Sequence, residues 1–185
     1  MTDSAVASSQ AAQSGAEKPL VIVSSRTGNT MILAHAICDA FPGAELVRAD
    51  ALPSDLSAYN PVMLGFWCDR GHAPEDMVRA AEQLSGKRIG CFATIGGNRQ
   101  GESAKAWMQK TAQALVALGQ NNTLEGTFLC RGRIDPEVFE RMTKMMGGVV
   151  TPERAATRAA AETHPDRLDL EAGVEIFRSV FGTNW

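Results

Sequence analysis

Short unbroken apolar runs alternate with amphipathic stretches along most of this chain. Leu20-Val21-Ile22-Val23 is the first such run, four apolar residues without a polar break, as in a strand buried on both faces. Residues 28–41 follow with Ile32, Leu33, Ala36, Ile37 and Ala40 at helical spacing, and Phe41-Pro42-Gly43 ends that helix. Residues 45–48, 62–67, 87–93 and 123–130 read as four further strands. Helices are predicted between them at 74–84, with a proline near the start, and at 103–118, where Ala104, Trp107, Met108, Leu115 and Leu118 form one side before the stop at Gly119. Alternation of this kind predicts an α/β fold, a doubly wound five-stranded parallel sheet with right-handed crossovers. Ligands of such sheets sit outside the carboxyl ends of the strands, at the switch point. Residues 134–182 then read as helical, with Thr151-Pro152 as an N-cap and first turn, a break at His164-Pro165-Asp166, and a last helix at 168–181 carrying Leu170, Val174, Phe177 and Val180 on one face. One helix after the fifth strand completes the sheet, so about two helices are surplus to it.

Composition narrows the class. A chain of 185 residues with 44% hydrophobic and 21% charged residues is one folded domain with a core of its own. Residues 1–18 are small and polar and cannot bury enough surface to offset their ordering entropy; they are predicted to be a disordered tail, leaving 19–185 as the domain. A net charge of -3 and a pI near 5.6 give no nucleic-acid footprint. No apolar run reaches the roughly 18 residues of a membrane helix, so no membrane partner is expected. Cys38, Cys68, Cys91 and Cys130 lie far apart without C-x-x-C spacing. Neither a zinc site nor a disulfide framework follows from them, and with no basic and apolar leader at the N-terminus the expected compartment is the cytoplasm.

The candidate chemistry sits where the first strand runs into the first helix. Ser24-Ser25-Arg26-Thr27-Gly28-Asn29-Thr30 places backbone N–H groups at the positive end of a helix dipole, with hydroxyls on Ser25, Thr27 and Thr30 and a glycine that admits close approach. That is a phosphate cradle. It matches neither G-x-x-x-x-G-K-[ST] nor G-x-G-x-x-G, which argues against a nucleoside triphosphatase and a dinucleotide site.

An apolar strand, S/T-x-T-G-x-T and a helix with a small residue and then an aliphatic one resembles the flavodoxin family, here through Ser25, Thr27, Gly28, Thr30, Ala34 and Ile37. The order of elements over residues 19–133 is similar too, with Val23 standing where the family usually has an aromatic residue. The resemblance implies a strand order 2-1-3-4-5 and FMN as cofactor, its phosphate held by Ser25, Arg26, Thr27, Gly28, Asn29 and Thr30. Arg26 either reaches the phosphate or faces solvent. It also implies flavin contacts after strands three and four. Trp67 is the candidate to stack on the ring, the alternative being a core position, and Cys68, Asp69, Arg70 and Gly71 form the turn beside it. A backbone carbonyl of that turn would meet the ring edge. Thr94, Ile95, Gly96 and Gly97 would supply backbone N–H groups. The strand-four loop lacks the second aromatic that the family usually places there, which leaves one flavin face either open or covered by another element such as the surplus helices.

Arg70, Arg99, Arg131 and Arg133 are expected on the same rim, where guanidinium forks suit carboxylate or phosphate. Cys68 would be redox-sensitive only with a lowered pKa, and the Met142, Met145, Met146 group reads as helix packing. The segments 128–136, 151–154 and 164–166 resemble a flavodoxin-like subgroup linked to tetrapyrrole (bilirubin) reduction in anaerobic bacteria. The function implied is an FMN-binding electron carrier serving a redox partner protein, a reductase or acceptor enzyme. Two alternatives stay open: a flavin-dependent NAD(P)H or quinone-type oxidoreductase using an open flavin face, and a non-redox module that has lost the flavin.

Overall fold

Five strands, β1 (Lys18–Val23), β2 (Glu45–Arg48), β3 (Tyr59–Trp67), β4 (Arg88–Ile95) and β5 (Thr123–Arg131), pair in parallel in the order β2-β1-β3-β4-β5. This α/β architecture is seen in a computed structural model that describes residues 17–182. Helices α1 (Asn29–Asp39), α2 (Glu75–Ala81), α3 (Glu102–Leu118), α4 (Pro136–Met145), α5 (Pro152–Ala161) and α6 (Arg167–Phe181) complete it. Among the described residues no helix is long and apolar enough to cross a membrane.

The unbroken apolar strands are explained by a two-sided sheet. Leu20 and Ile22 of β1 join Leu64, Phe66, Ile89 and Ala93 under α2 and α3, while Val21 and Val23 join Met63, Phe92 and Phe128 under α1 and α6. Each fully buried Leu, Ile or Phe contributes about 1.5–3 kcal/mol through the water it sheds. On the α1/α6 side the sheet is notched. A Cβ at Gly65 would lie 2.2 Å from the Phe92 ring, and one at Gly90 would lie 2.5 Å from Phe177. Those two glycines let the phenylalanines lie against the strands and meet edge to face at 6.0 Å.

Several boundaries differ from expectation. β4 runs two residues further, so Thr94 and Ile95 are strand residues rather than loop residues. Both pair in register with β5, and the β-branched side chains suit that extension. Helix α2 is shorter than 74–84, and β3 starts earlier, at Tyr59. Lys18, assigned to the tail, opens β1, donating its N–H to Ala58 O at 2.9 Å and pairing its Nζ with Glu45. Residues 1–16 of that expected tail lie outside the described residues.

Of the C-terminal helices, α6 covers the sheet: it packs on β5 and α1. Helices α4 and α5 are the surplus pair and make no broad contact with any strand. Polar ties hold them instead. Arg131 Nη1 donates to Ala160 O at 3.2 Å, and the Arg133 N–H donates to His164 O at 2.8 Å. Asp135 caps α4, Thr151 caps α5, and Asp166 with Asp169 form a capping box at α6.

Candidate functional site

The carboxyl ends of β1, β3, β4 and β5 open into one cleft of about 870 Å³. That is near the upper end for a small-molecule site. It lies at the switch point, where the chain leaves β1 for one neighbour and returns on its other side at β3.

The β1–α1 turn forms one end. Gly28 is the N-cap of α1 with φ 92°, and it receives no side-chain cap. Among the described residues the backbone N–H groups of Ser25, Arg26, Thr27, Gly28, Asn29 and Thr30 have no hydrogen-bond partner. Six consecutive free donors, the last of them at a helix N-terminus, make a concave positive nest suited to an anion such as a phosphate. The side chains contribute less than expected. The Ser25 hydroxyl accepts the Met31 N–H at 3.3 Å. Thr30 is buried and shares a 2.8 Å hydrogen bond with the Thr94 hydroxyl. Asn29 Nδ2 donates to Arg133 O at 2.8 Å and Thr27 Oγ1 at 3.3 Å. Thr27 and Arg26 remain at the cleft, the Arg26 guanidinium lying 5.4 Å over the Trp67 ring. Behind the turn, buried Ser24 donates to both carboxylate oxygens of Asp76 at 2.9 and 2.8 Å, which fixes the start of α2.

The β3 turn forms the next wall. Asp69 and His72 exchange two backbone hydrogen bonds of 2.8 and 2.9 Å around Arg70 (φ 51°) and Gly71 (φ 87°). Two central residues with positive φ define a type I′ turn. Trp67, Cys68 and Gly71 line the cleft, whereas Asp69 does not and Arg70 points into solvent with its side chain 95% exposed. Burial pushes the Cys68 thiol above its ordinary pKa, which disfavours the reactive thiolate. Phe66, the residue before Trp67, is fully buried and packs against Trp107 of α3.

Gly96 and Gly97 line the cleft beyond β4, with Thr94 and Ile95 below them. A Cβ at Gly96 would lie 2.6 Å from Ile134. The expected quartet of arginines does not assemble. Arg99 pairs at 3.3 Å with Asp169, a carboxylate 1% exposed, and Arg131 Nε donates to Gly97 O at 3.3 Å. These two bolt the β4 loop to the C-terminal helices. Of the four, Arg133 lines the cleft. Asp169 also bonds His164 and the Asp166 N–H. Burial raises its pKa, but the hydrogen bonds and the Arg99 charge outweigh that, and the carboxyl is held below the usual range.

Two further aromatic residues, from other elements, line the cleft. Trp107 of α3 lines the cleft, packs edge-on against Phe66 at 6.1 Å, and donates its indole N–H to Gly71 O at 2.7 Å. Phe139 of α4 lines the far wall with Met142, beside Arg154 and Thr157 of α5. The Arg154 and Arg158 guanidinium groups lie 5.4 and 4.7 Å from its centroid. The sequence signal for that wall was the i, i+3, i+4, i+7 stripe Asp135, Val138, Phe139, Met142. The Met142, Met145, Met146 group is not helix packing: the three side chains are 50, 82 and 64% exposed.

The arrangement can hold an anion at the β1 turn and a flat apolar ring system between the β3 turn, the β4 loop and aromatic side chains. A family model described as Flavodoxin domain matches residues 20–178. The chain is 26% identical over 172 residues to a flavodoxin-like domain-containing protein BilS from Clostridioides difficile, covering 90% of this chain and 95% of that protein. It is 28% identical over 178 residues to a protein of the same description from Clostridium symbiosum, covering 84% and 91%. The crystal structure of oxidised Flavodoxin 2 from Bacillus cereus superposes with a TM-score of 0.52 at 18% identity, over 90% of this chain and 97% of that one, a likeness of fold.

Proposed function

Because the chain belongs to the flavodoxin domain family, we propose that it binds FMN and carries electrons to a partner reductase. The observation that carries this reading is the run of six unpartnered N–H groups from Ser25 to Thr30, on a turn that meets the aromatic-walled cleft through Arg26, Thr27 and Asn29. FMN would supply the redox chemistry; the chain supplies binding, orientation and electrostatics. In this reading the backbone of Ser25, Arg26, Thr27, Gly28, Asn29 and Thr30 holds the phosphate, with the Thr27 hydroxyl and Arg26 adding donors. The Thr30 hydroxyl acts indirectly, through its bond to Thr94. Trp67, Cys68 and Gly71 flank the ring, Thr94 and Ile95 form its floor, and Gly96 and Gly97 present backbone to its edge. Asp69 and Arg70 shape the turn without touching the ligand. Trp107 and Phe139 provide the remaining aromatic surface.

The segments that resemble the tetrapyrrole-reduction subgroup point to a tetrapyrrole reductase as the partner. Four free cysteines suit a reducing compartment, the cytoplasm. Parallel titrations with FMN and riboflavin test the reading. FMN should bind at least about 100-fold tighter, because riboflavin lacks the group the nest receives. Equal affinities would refute the phosphate assignment, and no binding of either would refute the carrier. Steady turnover with NAD(P)H alone would turn the carrier into a self-sufficient oxidoreductase.

A further inference from the structure

Where the β1–α1 turn meets the end of β4, two buried hydroxyls face each other. Thr30, in the first turn of α1, is 1% exposed, and Thr94, near the end of β4, is 5% exposed. Their oxygens lie 2.8 Å apart across 64 residues of chain. Burying a hydroxyl costs free energy that only hydrogen bonds return, and valine has the same shape without that cost. Two threonines here therefore need a use for both of their hydrogens.

The bond between the two oxygens uses one hydrogen and leaves one over. Neither hydroxyl has another partner among the described residues. A helical threonine can donate to the carbonyl four residues back, but Thr30 makes no such bond. The acceptor for the second hydrogen must come from outside the chain, and the shape of the site decides which residue offers it. Thr94 lines the cleft and Thr30 does not. With Thr30 donating, its hydrogen is satisfied in the interior and the Thr94 hydrogen is free for the cleft. With Thr94 donating, a donor is stranded under the turn and bears the full desolvation cost.

We propose that Thr94 is a ring-binding residue and Thr30 its positioning residue. Thr30 donates to Thr94 Oγ1, and the Thr94 O–H reaches into the cleft for an acceptor atom, a carbonyl oxygen or an imine nitrogen, of a flat ligand. This rests on the carrier reading, in which that ligand is the flavin. Thr30 then has two tasks. Its backbone N–H belongs to the nest at the phosphate end, and its hydroxyl sets a donor at the ring, so one residue fixes the two parts of the site relative to each other.

The test uses the full chain labelled with ¹³Cβ-threonine in equal parts of H2O and D2O. A hydroxyl that exchanges slowly splits its own Cβ signal, and one that exchanges fast gives a single averaged signal. In the flavin-free chain Thr30 should be split and Thr94 single, and adding riboflavin should split Thr94 as well. Thr94→Val keeps the branched shape and should weaken FMN and riboflavin alike by about tenfold, the loss of one hydrogen bond; Thr94→Ser should restore most of it. Thr30→Val should weaken both about threefold through lost orientation, and should add nothing once Thr94 is replaced by valine. A split Thr94 signal or a single Thr30 signal in the flavin-free chain would reverse the direction of the pair and overturn the proposal. So would undiminished affinity in Thr94→Val, or losses that simply add in the double variant. Binding of neither FMN nor riboflavin refutes the carrier reading, and with it the ring as acceptor. Flavin binding that ignores Thr94 refutes the donor alone.

Discussion

On the β1 side of the cleft the groups on offer are backbone: six unpartnered N–H donors on one turn, with Gly28 at φ 92° and the neighbouring hydroxyls largely engaged in holding the turn together. On the α4–α5 side they are side chains, Phe139, Met142 and Arg154, mounted on helices that the sheet does not need. The first wall is specified by conformation, and most of its residues act by letting the chain turn. The second is specified by composition, and its position depends on a few polar ties. A wall of the first kind suits a constant ligand group, and one of the second kind can change its chemistry without altering the fold.

Three substitutions press on that contrast. The largest effect is expected at the tie. Asp169→Asn leaves Arg99 and His164 facing an uncharged group, and should cost about 3 kcal/mol, a Tm drop of roughly 6–12 °C by calorimetry. Asp169 has its pKa depressed in the folded state, so its stabilisation is complete above the ordinary carboxylate value of about 4 and is lost as pH falls through the lower folded value. The acid limb of a stability–pH curve should therefore flatten in the variant; an unchanged curve would remove Asp169 as the anchor. Next comes the backbone wall. Gly28→Val forces a β-branched residue to positive φ and should reduce FMN affinity about 100-fold, some 2.7 kcal/mol, by calorimetric titration. Undiminished affinity would show that the turn's conformation is not what binds. The smallest effect belongs to the side-chain wall. Phe139→Ala should weaken FMN about tenfold while leaving its preference over riboflavin intact, since the phosphate end is untouched. A lost preference would mean that the two walls are not independent.

The sheet was legible because its signals are local. Leu20-Val21-Ile22-Val23 and its counterparts are continuous apolar runs, and the polar turn at Ser24–Thr30 stands directly between strand and helix. The end of β4 was misjudged because Thr94 and Ile95 serve equally as strand residues or loop lining, and the β5 pairing that decides between them is distant in sequence. The arginines illustrate the same limit. Being on the right rim does not determine a guanidinium's direction, and Arg99 and Arg131 turn toward Asp169, Gly97 and Ala160. Trp107 was visible as an apolar position of α3, but its bond to Gly71 joins residues 36 apart. Phe139 carried no motif that singled it out, and the Met142, Met145, Met146 group read as helix packing because a methionine-rich helix usually has something to lie on. Here α4 makes no broad contact with any strand.

That missing support has a kinetic meaning. Regions with few buried contacts open by local fluctuation, and densely packed strands open only with the whole domain. The amides of α4 and α5 should therefore exchange with deuterated solvent well before those of β1, β3 and β4. In the proposed carrier, FMN then comes and goes through a transient opening of two helices, on a timescale set by their hydrogen bonds, while the sheet and its turns keep their shape.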